Sequence, residues 1–571
     1  MIGLNLKINV RKKAIGQLAA DKALELPILS SGFWFHSDVR DNFYYAIHLF
    51  AYCVDKELGC DWSEEKRKDA KNLALDMIGK VLSLQMKNSY DPMYGHWPLN
   101  LGNDPYTAKP NELPVELMGC LLILFCDKYQ EMLPLEVYND CRLAISHIYK
   151  SNLYRQPIIE MYHHDAKHTS LKLLLGQLFN DSALMEQGLA FAKLQLRHIK
   201  QFGFKEYGIL PWHWHWIQSF TCVWEVVKDT AVHETMSDLL DYLWRLRVDY
   251  YLKGTWVGAH SRQWPHDATK DNNTLLDYIQ FGDFPLPSEI TRLEGAALYT
   301  YQVADDLIRL AVDRTGPMEI KRKIQFAKAD GIVTEEVHTY VFITPEYAVG
   351  GIWERRNEFD NEQQRWDITL PLTSTHVHDS VNQAFFFHPG AKYDPGDDRH
   401  ASPYGEVLYH KDTVMQMWNV PSEEKDVYPN LIGCLPKGEW NFENSSGYGR
   451  VEDIYLTFQL MNEFKYEEKT DRMSITSPLA SGWNGVIMEA VSCKDAAGQG
   501  IHDLESFTAA LKGKNKSLFT IVGISPASVE KVAISYTTWR NDKLQFTMDS
   551  LNECDRLLND RPLSYSNYLM E

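Results

Sequence analysis

The hydrophobic period of this chain changes near Gly316, and that change limits what it can fold into. Up to about Arg314, segments such as "NFYYAIHLFAYCVDKEL", "DAKNLALDMIGKVLSLQM", "ELPVELMGCLLILFCDKY" and "SDLLDYLWRLRVDYYL" carry apolar residues three and four apart. That spacing collects them on one side of an α-helix. After "VDRTGPMEI" the pattern is that of strands, in "EEVHTYVFITPEYAVGGIWERR", "EVLYHKDTVMQMW", "IYLTFQLM" and "VAISYTTWRNDKLQFTM", with turn residues between them. With 571 residues the chain exceeds one ordinary core. We therefore expect two domains, a helical one over 1–315 and an antiparallel β domain over 316–571.

The helical part repeats loosely. A polar or aromatic loop runs into an apolar segment in "FHSDVRDNFYYAIHLFAY", "TAKPNELPVELMGCLLILF", "YHHDAKHTSLKLLLGQLF", "GFKEYGILPWHWHWIQSF", "GTWVGAHSRQWPHD" and "SEITRLEGAALYTY". Their separation, roughly 40 to 70 residues, suits one helical hairpin per unit. Such hairpins can wrap into a ring, an α/α toroid, whose loops on one rim converge on a central cleft.

These loops hold the residues with chemistry to offer. Asn111 opens the "NELPVELMG" helix, where it serves either as an N-cap or as an amide donor to a substrate carboxylate. In "YHHDAKHTS", His164 and His168 are four apart and share a face if the segment is helical. That spacing also suits two metal ligands, but no HExxH is present. In "FKEYGILPWHWHW", Glu206 and Tyr207 precede a turn, and His213 and His215 alternate with Trp212, Trp214 and Trp216. An aromatic sugar subsite with polar contacts fits that run. In "GTWVGAHSRQWPHD", small residues let the backbone come close to a partner, Arg262 offers a planar fork for a carboxylate, and His260 titrates near neutrality. Trp256 and Trp264 flank them. In "THVHDS", His376 and His378 would face the same side of a strand, beside Asp379.

Composition narrows the partners. A formal net charge of -19 argues against nucleic acid, although a local cationic cleft can still take an anion. No run is long enough to span a bilayer, and "MIGLNLKINVRKKAIGQLAADKALELP" lacks the apolar core and cleavage site of a signal peptide, so a cytoplasmic location is expected. The nine cysteines are scattered without a CxxC, which suits reduced thiols. With 16 Trp and 30 Tyr the chain is rich in rings that can stack on sugars, or fill a thick core. No phosphate-binding glycine loop and no GxSxG occurs.

A toroid followed by an antiparallel β-sandwich resembles the toroid polysaccharide lyases of the heparinase II/III-like, alginate-lyase-like and chondroitin-lyase-like families. Locally, "VGAHSRQW" is similar to a Gly-Ala-His-Ser-Arg element of lyase-like proteins, and "FKEYGILPW" looks like a degenerate Glu-Tyr-Asn-Ser-Pro-Thr-Tyr element that lacks the Asn-Ser. The resemblance implies β-elimination at a uronic acid. The C5 proton leaves only if the adjacent carboxylate is neutralised by an amide, an arginine or a metal ion. A His or Tyr then takes the proton, and a Tyr or His protonates the leaving oxygen. On that resemblance Asn111 and Arg262 meet the carboxylate, His260 or His164 is the base and Tyr207 the acid. Glu206 holds orientation, and Trp212, His213, Trp214, His215, Trp256 and Trp264 contact the sugar. No organic cofactor is implied, and a divalent cation stays open. The partner is a uronic-acid oligosaccharide or polysaccharide, attacked from a chain end if the enzyme is cytoplasmic.

Two other readings compete. A toroid glycoside hydrolase would use carboxylic acids, for which Asp41, Glu112, Glu206 and Glu294 are available. A non-catalytic carbohydrate binder would keep the tryptophans and need neither His260 nor Arg262.

Overall fold

The computed structural model describes residues 2–260, 273–356, 364–395, 400–515, 518–525 and 528–570. Nine long helices lead the chain among these residues: α1 (Ile2–Glu25), α2 (Val39–Val54), α3 (Glu64–Ser83), α4 (Leu113–Tyr129), α5 (Leu135–Lys150), α6 (His163–Leu178), α7 (Ser182–Phe202), α8 (Leu210–Val226) and α9 (Thr230–Asp249). They pair as hairpins, α2 with α3, α4 with α5, α6 with α7 and α8 with α9. Helices α2, α4, α6 and α8 pack on one another inside the ring. Sequence explains the choice. In α4, "LPVELMGCLLILFCDKY" is apolar all round and buried along almost its whole length, as an inner helix must be. The outer helices α7 and α9 bury one stripe each and start at Asp181 and Asp229, whose side chains accept from Leu184 and Val232 N–H. Hairpins reverse direction twice per repeat, so the inner helices run the same way and begin at the same rim.

Two short hairpins decorate this part: β1 (Trp97–Pro98) with β2 (Pro110–Asn111), and β3 (Tyr251–Leu252) with β4 (Thr255–Trp256). The first long strand, β5 (Met318–Ala327), begins after a helix that ends at Val312. It edges an antiparallel sheet with β6 (Val333–Ile343), β7 (Ala348–Ile352), β8 (Trp366–Thr369) and β9 (Gln383–Phe387), extended by strands Asn430–Leu435, Met473–Pro478 and Lys465–Glu468. A second antiparallel sheet of six strands packs against it, and both contribute to one core, as Phe342 and Ile368 do from the first and Met417, Phe458 and Ile487 from the second. A further five-stranded sheet adds Val532, Leu544 and Phe546 to the same core.

The strand period explains how the two parts join. On β6, Tyr340 and Phe342 face the sandwich, whereas Val341 and Ile343 face the helices and belong to the helical core. Polar contacts cross as well. Arg322 pairs with Asp249 at 2.7 Å, and the Tyr250 hydroxyl lies 3.0 Å from Thr339 Oγ1. One expectation changes here: "THVHDS" is not a strand. Ser374–His378 is a single helical turn, so His376 and His378 diverge. His376 is buried, with Nδ1 2.7 Å from the Pro371 carbonyl, and His378 is exposed. Among the described residues no helix is long and apolar enough to cross a membrane.

Candidate functional site

The first turns of the inner helices bring the ionisable residues together. Glu116 lies in the first turn of α4, where its side chain is buried in an otherwise apolar helix. A buried carboxylate needs cations or donors, and α6 supplies them. His164 Nδ1 is 2.9 Å from both oxygens of Glu116, His168 Nε2 is 3.2 Å away, and Lys167 Nζ pairs with the same carboxylate. These three residues are three and four apart, so one helical face carries them. Burial would raise the Glu116 pKa; the Lys167 charge and the His164 and His168 hydrogen bonds outweigh it and hold the carboxyl well below its ordinary range. His164 keeps 42% of its side chain exposed, while Lys167 keeps 3%.

A second pair lies beside it. Glu206, in the loop before α8, accepts from His163 N–H at 2.8 Å and from Trp216 Nε1–H at 2.6 Å, and its other oxygen is 2.5 Å from His163 Nδ1. Burial pushes this carboxyl up to about 7, against the pull of those hydrogen bonds. The His163 ring is stacked on half-buried Trp212, with centroids 4.6 Å apart and planes 17° off parallel, and lies 4.0 Å from the His164 ring.

The string continues through His215, whose Nε2 is 3.5 Å from Glu294. Gln218 Nε2–H donates to the other Glu294 oxygen at 3.1 Å. Burial drives the His215 pKa well down, so the ring is neutral. Burial opposes ionisation of Glu294, but His215, then Arg292 and Gln218, bring its pKa below the ordinary value. Glu294 is on the wall of an open cleft of about 450 Å³ that Asp38, Arg40, Asp41, Tyr44, Tyr45 and Arg292 also line. Asp38 binds Arg40 at 2.6 Å, leaving Asp41 without that partner. Burial first, then the Asp38 and Glu294 charges, raise Asp41 to about 7. Arg292 Nε–H has no acceptor among the described residues. Both Arg292 and Glu294 have left-handed backbones, at φ 55° and 35°, which is strained for side chains of this size.

No family model and no curated protein matches the sequence. Solved structures do resemble the chain. It is similar to a chondroitinase AC lyase studied as oligosaccharide complexes, at 10% identity over 99% of this chain and 99% of that one, with a TM-score of 0.45. It is similar to the Streptomyces coelicolor A3 chondroitin AC lyase in complex with chondroitin sulphate, at 9% identity over 95% and 85% of the two chains and a TM-score of 0.49. Heparinase III gives 10% identity over 92% and 82%, with a TM-score of 0.40. The resemblance is to toroid-fold polysaccharide lyases. Identities this low assign no role to any residue.

Of the residues expected from sequence, His164, Glu206, Trp212 and His215 come together. Asn111 and Glu112 stand near them, through His96, which meets the Asn111 backbone and lies within reach of Glu112, Glu116 and His168, whereas Tyr207, His213, Trp214, Trp256 and His260 are buried elsewhere. Asn111 is exposed, and its Oδ1 accepts from Leu113 N–H at 2.9 Å, a local turn contact one residue ahead of the N-cap position, which Glu112 occupies. Glu112 is exposed at the start of the same helix. Tyr207 is buried in an apolar cluster with Ala259, Ile324, Phe326, Val337 and Ile352. Gly208 permits this packing, because at φ +70° an added Cβ would meet the Ala259 carbonyl oxygen at 1.9 Å. His260 is 2% exposed, and its N–H donates to the Gln364 carbonyl while Nδ1 lies 3.6 Å from Asp367. Neither offers an accessible acid or base as placed.

The aromatic run corrects the picture of a sugar subsite. It is helical, so neighbours point 100° apart and alternation puts no common face outward. His213 and Trp214 are core, with Trp214 Nε1–H donating to the Asn273 carbonyl at 2.7 Å. Trp256 is buried and stacked on Tyr250, centroids 4.9 Å apart. Arg262 and Trp264 lie outside the described residues. Sequence reasoning passed over Glu116, Lys167 and Arg292. Glu116 was detectable, as an acid in an apolar helix facing a His-x-x-Lys-His spacing on another. Among the described residues no cluster of three or more His, Cys, Asp or Glu side chains is arranged to hold a metal ion.

Proposed function

We propose that this chain is a lyase that cleaves an oligosaccharide or polysaccharide next to a uronic acid by β-elimination, with His164 as the base. The observation that carries this reading is the half-exposed His164 imidazole, tied through Nδ1 to buried, ionised Glu116. The tie fixes the ring and leaves Nε2 as the nitrogen that takes the C5 proton. The negative charge of Glu116 stabilises the imidazolium that forms, as a carboxylate behind a catalytic histidine does. Arg292 is the cleft cation with an uncommitted donor, and it would neutralise the uronate carboxylate as charge develops on it. Burial pushes the half-buried Tyr45 phenol up to about 12, so it stays protonated and can give its proton to the leaving glycosidic oxygen. Trp212 supplies a partly open aromatic edge beside His163 for the sugar.

One observation favours a second reading. Asp41 and Glu294 are on the walls of one cleft, and their surroundings push their pKa values apart, Asp41 up to about 7 and Glu294 down. That is the arrangement of an acid and a base in glycoside hydrolysis. Ultraviolet absorbance and reducing ends, followed together on uronic-acid oligosaccharides, separate the two. A new conjugated double bond means elimination. Reducing ends without it mean hydrolysis and exclude the role given to His164.

A further inference from the structure

A second cavity, of about 190 Å³, shares no lining residue with the cleft at Arg292 and Glu294. Its walls come from α1, the middle of α8, α9 and residues 276–302. Thr221 on its wall is nine residues along α8 from Trp212, about 13 Å at 1.5 Å per residue. Lys12 reaches into it from α1. That side chain is only 6% exposed, yet it makes no hydrogen bond or ion pair with any described residue. Trp244 lines the same cavity with its ring, at 1% exposure.

The acids that Lys12 feels are engaged elsewhere. Asp55 pairs with Lys128 at 3.6 Å and accepts from the Tyr129 hydroxyl at 3.0 Å. Glu225 accepts from the Thr300 and Tyr301 N–H groups. Glu57 is exposed at the mouth and forms no ion pair with Lys12. Burial, then the neighbouring Lys128 charge, lowers the Lys12 pKa against the pull of Asp55, Glu57 and Glu225. An ammonium with little access to water and no paired anion is unfavourable, and an unpaired donor lining a cavity marks where an acceptor belongs.

We propose that this cavity binds a small organic anion of monosaccharide size, its carboxylate on Lys12. The Trp244 and Tyr301 rings offer apolar faces, and Gln302 and Thr221 meet hydroxyl groups. The site is independent of the elimination reading, because none of its residues belongs to the His164 cluster or to the cleft at Arg292.

The test is calorimetric titration of the full chain with glucuronate, neutral glucose and inorganic phosphate. To remove binding at the other cleft it is done in wild type and in Arg292→Ala, each with and without Lys12→Met. Glucuronate should bind Arg292→Ala saturably, glucose should not, and adding Lys12→Met should weaken glucuronate at least tenfold. Lys12→Met removes an unpaired buried charge, so its melting temperature without ligand should match or exceed that of wild type; Lys12→Gln repeats the test if Lys12→Met is insoluble. No saturable glucuronate binding in Arg292→Ala, or binding that survives both Lys12 substitutions, overturns the site. Binding of phosphate alone overturns the monosaccharide-sized ligand.

Discussion

His164 Nδ1 lies 2.9 Å from both oxygens of Glu116, and the buried Lys167 ammonium shares that carboxylate. One acid thus holds three bases of α6 in place. Glu116→Gln keeps the shape but leaves Lys167 buried without an anion. Breaking a buried pair in this way costs about 3–5 kcal/mol. Urea denaturation should show a loss of that size together with loss of turnover. A loss below about 1 kcal/mol would mean that Lys167 finds water and that the cluster is not what anchors α4 to α6.

Glu206 gives a pH dependence with a definite sign. Its folded pKa is raised, to about 7 from an ordinary 4.5. Between those values the folded chain holds a proton that the unfolded chain has lost. Its contribution to stability therefore falls as pH rises through that window, by up to about 1.4 kcal/mol per unit. The stability difference between wild type and Glu206→Gln should shift against wild type from about pH 5 to about pH 7. A difference that stays flat would show that His163 and Trp216 hold the carboxyl ionised throughout.

The fold was legible because it rests on periodicity, which every residue reports. The strand stretch "EEVHTYVFITPEYAVGGIWERR" and the helical "ELPVELMGCLLILFCDKY" both form as read. The site was legible only in part, because it depends on which side of a helix faces inward. Trp212 and Trp214 are two apart and look equivalent in sequence, but 200° of helical rotation leaves one half-buried beside His163 and the other in the core. The "GAH" of the loop likewise read as rim, whereas bridging to Gln364 takes His260 into the contact with the β part. No local pattern records a pairing over that distance in sequence. Glu116 with its basic partners was a pairing of two readable patterns, and only the toroid placed them face to face.

The two tryptophans also separate binding from folding. Trp256→Ala removes a buried ring stacked on Tyr250 and should cost about 3–5 kcal/mol. It should lower the unfolding midpoint and leave KM of the folded fraction unchanged. Trp212→Ala removes a half-buried ring and should raise KM several-fold with a smaller loss of stability. Equal effects of both on KM would place Trp256 on the substrate after all.

Substitution at the two candidate centres decides the chemistry. If His164 is the base, His164→Ala should lower the elimination rate about 10²–10⁴-fold, since a positioned base contributes that much. Asp41→Asn should then act mainly on binding, because its carboxyl accepts no proton in the elimination step. Glu294→Gln should be felt more, as it weakens the partner of neutral His215 and removes a negative charge near Arg292. The carboxylate behind the base adds a second constraint. Glu116 lies well below its ordinary range and is ionised throughout, so Glu116→Gln removes the charge that stabilises the imidazolium and should lower the elimination rate along with stability. The opposite pattern is Asp41→Asn and Glu294→Gln abolishing turnover while His164→Ala retains it. That would transfer the reaction to the two carboxyls and make the Glu116 cluster a structural joint between α4 and α6.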